Sequence, residues 1–147
     1  MSELRTAPSG TDLAPRLRLA VMRLARRLRQ QADGPLTPSQ TSAMHSIERL
    51  ESVTLGDLAA AERVQPPSMT RIVASLEEAA YVAREVDPGD RRIARVRLTA
   101  EGRRLLERGR TRKTAYLATR LRDLEAGDAE ALERAIAIIE GLNEGER

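Results

Sequence analysis

The sequence predicts a mainly α-helical fold with a small two-stranded β-hairpin. Two observations carry this prediction. Apolar residues recur every three or four positions along most of the chain, which is the spacing of one helix face. Only residues 82–98 alternate apolar and charged positions on both sides of a Pro-Gly turn, as the two strands of a hairpin do.

The composition limits the classes of function. A chain of 147 residues suits one domain, or one domain with helical extensions. The net charge is +3 and Lys113 is the only lysine. This arginine-rich balance fits a nucleic-acid partner, although a GC-rich genome would also favour arginine and alanine. The absence of cysteine excludes disulfides, thiolate zinc sites and thiol switches.

The N-terminal sequence does not indicate export or membrane insertion. Arginines interrupt every apolar stretch between Leu13 and Leu28, and no apolar run approaches the ~20 residues of a membrane span. An arginine-rich amphipathic N-terminus could be a transit peptide, but Glu3 and Asp12 argue against that reading. We therefore expect a cytoplasmic protein with no membrane partner.

The chain begins with a predicted flexible arm over residues 1–12, followed by a helix within residues 13–35. This helix carries one apolar stripe and ends near Asp33-Gly34-Pro35, because that sequence cannot continue a helix. Thr37 then caps a second helix that starts at Pro38. The two elements are separated by only a short turn.

Two further helices form a helix-turn-helix pair. The first is short, covers Leu55–Glu62 and is capped by Thr54. The second runs from Pro66 to about Ala79, after a break at Val64-Gln65-Pro66-Pro67. The hairpin follows this pair and should pack against it, because an isolated hairpin is marginally stable.

Two helices complete the chain. Thr99 caps a long helix that reaches about Leu124. Its segment Glu107–Thr114 has no large apolar residue, so we expect it to cross solvent. The last helix starts at Gly127-Asp128 and carries a second apolar stripe.

The second helix of the pair can lie in the major groove of duplex DNA. The residues that we predict to contact DNA there are Gln65, Ser68, Met69, Thr70 and Arg71. The hairpin tip carries Arg91 and Arg92, which can reach the minor groove, where narrow A·T-rich stretches concentrate negative potential. We expect Asp90 to brace one of these arginines by a charge-assisted hydrogen bond, because phosphate would repel it from DNA.

The ordered set of motifs resembles the MarR family of bacterial transcriptional regulators. The motifs span residues 36 to 102 and are Leu36-Thr37-Pro38-Ser39-Gln40, Leu55-x-x-Leu58-Ala59, Ser68-Met69-Thr70-Arg71-Ile72-Val73-x-x-Leu76-Glu77, Asp87-Pro88-x-Asp90-Arg91-Arg92 and Leu98-Thr99-x-x-Gly102. The resemblance implies a homodimer, a recognition helix around Ser68 to Arg71 and a minor-groove arginine at Arg92. It also implies a repressor that releases DNA when a small aromatic or anionic effector enters a pocket between the dimer and DNA-binding parts.

Two positions depart from the family pattern. The family commonly has glycine where this chain has Ala80, at a position that often adopts a left-handed conformation. The approach to the hairpin can therefore differ here. The family's peroxide sensors use cysteine, which this chain lacks, so oxidation sensing by that route is excluded.

These observations predict a winged helix-turn-helix DNA-binding domain over residues 36–100, with dimerisation helices in residues 13–35 and 101–147. A long apolar stripe left exposed would promote aggregation, which favours a dimer on a palindromic operator. The predicted interface residues are Leu13, Leu17, Val21, Leu24, Leu132, Ile136, Ile139 and Leu142.

Other readings remain open from the sequence. A winged helix can bind protein partners, and an architectural protein can bind DNA without sequence preference. An enzyme is disfavoured, because one histidine, no cysteine and no Gly-rich phosphate loop offer no catalytic set. His45 and Tyr116 read as packing residues, although Tyr116 could border a pocket. No cofactor or metal site is expected.

Overall fold

A computed structural model describes residues 10–32 and 34–145 of the chain. Within these ranges the chain forms six helices and three strands. Their bounds are α1 Gly10–Gln31, α2 Pro38–Leu50, β1 Val53–Thr54, α3 Leu55–Glu62, α4 Pro66–Glu78, β2 Val82–Val86, β3 Ala94–Leu98, α5 Ala100–Leu121 and α6 Ala126–Glu144. The predicted fold class is confirmed. Residues 1–9 of the predicted arm lie outside the described residues, and α1 begins at Gly10, earlier than Leu13.

Three helices, α2, α3 and α5, begin directly after the predicted capping residues. Thr37 and Gln40 form a reciprocal capping box, in which each side chain accepts a hydrogen bond from the other residue's backbone N–H, at 2.8 and 3.2 Å. Thr54 accepts from the N–H of Asp57 at 3.1 Å, and Thr99 accepts from the N–H of Gly102 at 3.0 Å. All three predicted caps are confirmed.

The sheet has three strands where the sequence predicts two. All pairs are antiparallel, in the order β1-β3-β2. The predicted hairpin is β2 and β3, which pair from Val82↔Leu98 to Val86↔Ala94. The additional strand, β1, pairs Val53 with Val96. Two residues are too few to show strand alternation, so the sequence pattern could not reveal β1. Its consequence is that β3 lies at the centre of the sheet.

The hydrophobic core lies in one lobe of the molecule. Buried apolar side chains from α2, α3, α4, the sheet and the first turns of α5 form a single cluster. Its members are Ala43, Met44, Ile47, Val53, Leu58, Ala59, Met69, Val73, Leu76, Val82, Val96, Leu98 and Leu106. All of its members except Leu106 lie within residues 36–100, the predicted DNA-binding domain, and none belongs to α1 or α6. The core therefore holds the helix-turn-helix pair and the hairpin in fixed relation.

Helices α1 and α6 leave their apolar faces exposed in the single chain. α6 has no buried residue among those that the structure describes. Leu13, Val21 and Leu24 on α1 are each nearly half exposed, and Leu142 on α6 is 63% exposed. These helices lack a partner surface within the described chain that would cover their stripes.

The segment Glu107–Thr114 of α5 is largely exposed, as predicted, and only Gly109 and Lys113 are half-buried, on the side that lines a cleft with α1 and α2. Arg112 donates a hydrogen bond to the carbonyl of Ala32 at 3.2 Å. Arg110 forms an ion pair with Glu48 on α2. Exposed arginines of α5 therefore bond to neighbouring segments without burying the middle of the helix.

Candidate nucleic-acid interface

The N-terminal end of α4 presents polar side chains to solvent. Gln65, at the N-cap, makes no capping hydrogen bond with its side chain, and Ser68, Thr70 and Arg71 are exposed. Met69 is only 1% exposed and belongs to the core. The prediction that Met69 contacts DNA is therefore wrong: at helical spacing from Val73 and Leu76, its side chain points inward.

The exposed side chains of α4 retain capacity for hydrogen bonds. Thr70 Oγ1 donates to the carbonyl of Pro66 at 3.0 Å, which leaves its oxygen free to accept. Arg71 makes no hydrogen bond or ion pair with the part of the chain that the structure describes. Its five donors face solvent on the exposed side of α4, whereas the first turn of the helix offers no free backbone donor: Pro66 and Pro67 have no N–H, and the N–H groups of Ser68 and Met69 both donate to the Gln65 carbonyl.

The tip of the hairpin holds Arg92 in a fixed orientation. The Asp90 carboxylate accepts from Arg92 Nε and from an Arg92 terminal nitrogen, each at 3.1 Å, and from the Arg92 backbone N–H at 3.0 Å. These contacts lower the pKa of Asp90, with the Arg92 side chain as the largest cause. The Arg92 side chain is 90% exposed. The carboxylate thus orients a guanidinium that stays accessible, and Arg91 beside it is also exposed.

A second Asp–Arg contact, which the sequence did not predict, lies where the hairpin strands meet the tip loop. Arg95 Nε donates to Asp87 Oδ2 at 2.8 Å, and an Arg95 terminal nitrogen donates to the carbonyl of Ser52 at 3.3 Å. The Arg95 side chain is the largest cause of a lowered pKa at Asp87, followed by the N–H of Gly89. The Asp87-Pro88-Gly89 turn was a signal for Asp87, but the role of Arg95 depends on the unpredicted strand β1.

Ion pairs also connect the hairpin strands to their surroundings. Arg84 on β2 lies 3.4 Å from the carboxylate of Glu77 on α4. Arg97 on β3 pairs with Glu85 across the hairpin. The first pair links the hairpin to α4, and the second neutralises part of its basic face.

A cleft of about 530 Å³ lies between α1, α2 and α5. Among residues 10–32 and 34–145, its lining includes the basic side chains of Arg26, Arg29 and Lys113, together with His45, and no acidic side chain. Burial lowers the pKa of His45, and the nearby charges of Lys113 and Arg110 lower it further, against the opposing effect of Glu48. The described lining therefore combines apolar side chains such as Leu36, Leu105 and Leu106 with three basic ones.

The α2 side of this cleft is hydrogen-bonded to both helices of the helix-turn-helix pair. Ser42, which lines the cleft, donates to Glu62 at the end of α3 at 2.6 Å. Ser46, one turn further along α2, donates to the other oxygen of that carboxylate. Gln40 donates to Ser75 on α4 at 2.8 Å. These hydrogen bonds consequently couple the position of α2 to the positions of α3 and α4.

Residues 10–32 and 34–145 contain no group of three or more histidine, aspartate or glutamate side chains that could hold a metal ion. None of the helices in these ranges is long and apolar enough to cross a membrane. Tyr116 lies under the guanidinium of Arg120, 4.7 Å from ring centroid to Cζ; it does not line the cleft, but it borders a second, smaller pocket with Thr119, Arg120 and Asp123.

These features define a winged helix-turn-helix protein: α3 and α4 are the helix pair, and β2 with β3 is the wing. Residues 36–94 match the model of the MarR family. The chain is 39% identical over 132 residues to an HTH-type transcriptional regulator of Mycobacterium leprae, covering 89% of this chain and 92% of that protein. It is 38% identical over 135 residues to an HTH-type transcriptional regulator of Mycobacterium tuberculosis, covering 91% and 94%. The protein belongs to the MarR family.

Solved structures show the same fold. A transcriptional regulator protein of Pseudomonas aeruginosa superposes with a TM-score of 0.81 at 31% identity, covering 92% of this chain and 99% of that one. A point mutant of Staphylococcus aureus MepR, bound to an oligodeoxyribonucleotide, superposes with a TM-score of 0.71 at 18% identity, covering 88% and 96%. The second likeness concerns the fold alone.

Proposed function

We propose that the protein is a homodimeric, cytoplasmic transcriptional repressor that binds a palindromic site in duplex DNA and releases it when an effector binds. One observation carries the DNA-binding part. A single rigid lobe presents both an exposed polar helix end at Ser68–Arg71 and an arginine-tipped wing. The names of the mycobacterial relatives as HTH-type regulators, and the DNA-bound state of MepR, support the proposal.

The N-terminal end of α4 reads bases in the major groove. Arg71 can donate two parallel hydrogen bonds to a guanine edge, a contact worth roughly 1–3 kcal/mol of discrimination. Gln65 can pair in the same way with adenine. Ser68 can donate to a base edge or a phosphate oxygen, and Thr70, whose hydroxyl donates to Pro66, can accept from a base edge. Met69 instead fixes the helix to the core from its opposite face.

The wing contacts the adjacent minor groove. Arg92, oriented by Asp90, is extended from the lobe and suits a narrow, A·T-rich groove. Arg91 lies beside it and can contact phosphate. Because phosphate contacts release counterions, affinity should fall steeply as salt concentration rises.

The exposed stripes of α1 and α6 form the dimer interface. Leu13, Val21 and Leu24 on α1 are 45–49% exposed in the single chain, and Leu17 on the same stripe is half-buried. On α6, Leu132, Ile136 and Leu142 are exposed and Ile139 is half-buried. A second copy would cover these stripes and would place two recognition helices on half-sites about 34–36 Å apart.

The cleft between α1, α2 and α5 is the effector site. Its volume suits a small molecule, and its basic lining favours an aromatic acid or another anion. The hydrogen bonds of Ser42 with Glu62 and of Gln40 with Ser75 would couple a movement of α2, caused by a ligand in the cleft, to α3 and α4. A coupling of about 1–3 kcal/mol would change DNA affinity by roughly 5–150-fold.

Arg71→Ala and Arg92→Ala test the DNA-binding assignment. The probe is a duplex enriched from random DNA by the wild-type protein. Each variant should bind this probe roughly 5–100-fold more weakly, as expected for loss of one groove contact. Arg122→Ala is the matched control, because it removes the same charge from the far end of α5. Unchanged binding by both variants would favour a protein-interaction module, and equal losses on unselected duplex would favour an architectural protein.

A further inference from the structure

We propose that Arg95 is a positioning residue for DNA binding: together with Asp87 it fixes the wing tip relative to the body of the lobe, so that Arg92 is presented at a defined place. The inference rests on the proposed contact between the wing and DNA. It assigns a function to the second Asp–Arg contact, which lies where the strands meet the tip loop and does not involve Asp90, Arg91 or Arg92.

Arg95 connects three parts of the lobe. It lies on β3, the central strand, with Thr54 of β1 opposite it on one side and Glu85 of β2 on the other. From there its guanidinium reaches Asp87 at the start of the tip loop and the carbonyl of Ser52 before β1. The wing loop and the connection between α2 and α3 are thus held by one side chain.

Asp87 transmits this attachment to the loop. Its Oδ2 accepts from Arg95, while its Oδ1 accepts from the N–H of Gly89 at 2.7 Å. Its backbone N–H donates to the carbonyl of Ile93 at 2.9 Å, which closes the loop on the other side. The Asp87 side chain is only 16% exposed, so it is placed to organise the loop and not to meet DNA.

The wing needs such an attachment. A two-stranded ribbon that extends into solvent is marginally stable, and at the outer end of β2 Val86 is 61% exposed. The Asp90 contact orients Arg92 within the tip, but it does not fix the tip relative to α4. Fixing the tip before binding reduces the ordering cost when DNA is bound.

The competing explanation is that Arg95 contacts a DNA phosphate directly, since its side chain is 39% exposed. The two explanations differ in how substitutions combine. A positioning residue acts through Arg92, so its effect should vanish once Arg92 is removed. A direct contact is independent of Arg92, so the two losses should multiply.

The experiment measures affinity for the enriched duplex with full-length Arg95→Gln, Arg92→Ala and the double variant. Arg95→Gln should bind about tenfold more weakly than wild type, and the double variant should bind no more weakly than Arg92→Ala alone. Arg95→Lys keeps the charge but cannot span both Asp87 and Ser52, so it should behave like Arg95→Gln. Arg97→Gln is the matched control on the same strand and should be close to wild type.

Three outcomes would overturn the inference: multiplied losses in the double variant, full binding by Arg95→Lys, or wild-type affinity of Arg95→Gln. Asp87→Asn supplies a second test if Arg95→Gln folds poorly, because it weakens the same contact with little change in shape. If Arg92→Ala itself binds like wild type, the proposed wing contact fails and this inference fails with it. If Arg92→Ala loses DNA affinity and Arg95→Gln does not, the proposed function stands and only the role of Arg95 is contradicted.

Discussion

Gly102 on α5 lies directly against the backbone carbonyl of Tyr81, where the chain passes from α4 into the wing. A Cβ at residue 102 would come within 2.1 Å of that oxygen. Thr99 strengthens this junction, because its N–H donates to the Tyr81 carbonyl at 3.1 Å and its hydroxyl donates to the Ala80 carbonyl at 2.6 Å. The first turn of α5 therefore holds the recognition helix and the wing together.

Gly102→Ala should destabilise the protein by about 1–3 kcal/mol, because the backbone must move to admit a methyl group. The measurement is the urea midpoint of unfolding, with the slope of the transition unchanged. Gly56→Ala is the control, since a Cβ at residue 56 would have no atom within 4 Å. Equal stability of Gly102→Ala and wild type would show that the close approach to Tyr81 is not rigid.

Ala80→Gly should stabilise the protein. Ala80 has φ of 63°, and it occupies the left-handed position after α4, where Tyr81 N–H bonds to the Leu76 carbonyl and Ala80 N–H bonds to the Glu77 carbonyl. The left-handed conformation costs a non-glycine residue about 1–2 kcal/mol, partly offset by the greater freedom of glycine in the unfolded chain. A net gain of roughly 0.5–1 kcal/mol is expected.

Ala79→Gly provides the contrast to this substitution. Residue 79 has φ of −78°, which alanine adopts without strain, so glycine there should lower stability. A loss of stability in both variants would mean that Ala80 is not strained.

Ile136→Glu should convert the proposed dimer into a monomer. Ile136 is 48% exposed on the α6 stripe, and a buried unpaired charge at an interface is costly. Sedimentation equilibrium over a range of protein concentrations measures the change. Val86→Glu places the same charge at a similarly exposed apolar site on the wing, and it should remain dimeric. An Ile136→Glu dimer as stable as wild type would move the interface away from α6.

His45 should make stability depend on pH. Burial, followed by Lys113 and Arg110, lowers the pKa of His45 below its ordinary value of 6.5. Below pH 6.5 the unfolded chain therefore binds more protons than the folded protein, and folding stability falls as pH decreases from that value toward the folded pKa. Urea unfolding at a series of pH values measures this slope.

His45→Gln should flatten the slope in that window, because His45 is the only histidine in the chain. Carboxylates with lowered pKa values, such as Asp87 and Glu101, contribute only at lower pH, where they lose their arginine partners. If His45→Gln kept the wild-type slope between pH 6.5 and the carboxylate range, the pH dependence would not arise from His45.

Salicylate, a small aromatic acid, should weaken binding to the enriched duplex if the cleft is an effector site. Lys113→Gln should raise the salicylate concentration needed for release, because it removes one cation from the cleft lining. Arg122→Gln, outside the cleft, should not. The same salicylate response in wild type and Lys113→Gln would place the effect elsewhere.

The local signals in the sequence predicted most of the fold. Thr37, Thr54 and Thr99 are capping residues followed by helical patterns, and alternation defines β2 and β3 directly. The sequence carries no comparable local signal for contacts between segments that are far apart in the chain. Strand β1 is two residues long, and the Arg95–Ser52 contact joins residues far apart in the chain.

The candidate site shows the same division. The exposed end of α4 follows from its position in the helix-turn-helix pair. The prediction for Met69 is wrong because a residue adjacent in sequence to Ser68 and Thr70 does not share their face of the helix. On a helix, residues one position apart point about 100° from each other. The spacing from Met69 to Val73 and Leu76 was the signal that placed it in the core.

The most direct test of the proposed function is selection of random duplex DNA by the purified full-length protein, followed by footprinting on the enriched sequence. We predict an inverted repeat whose half-sites are separated by about one helical turn, with protection in two major grooves and in the flanking minor grooves. Enrichment of a single unrepeated site, or uniform protection without any preferred sequence, would contradict this prediction.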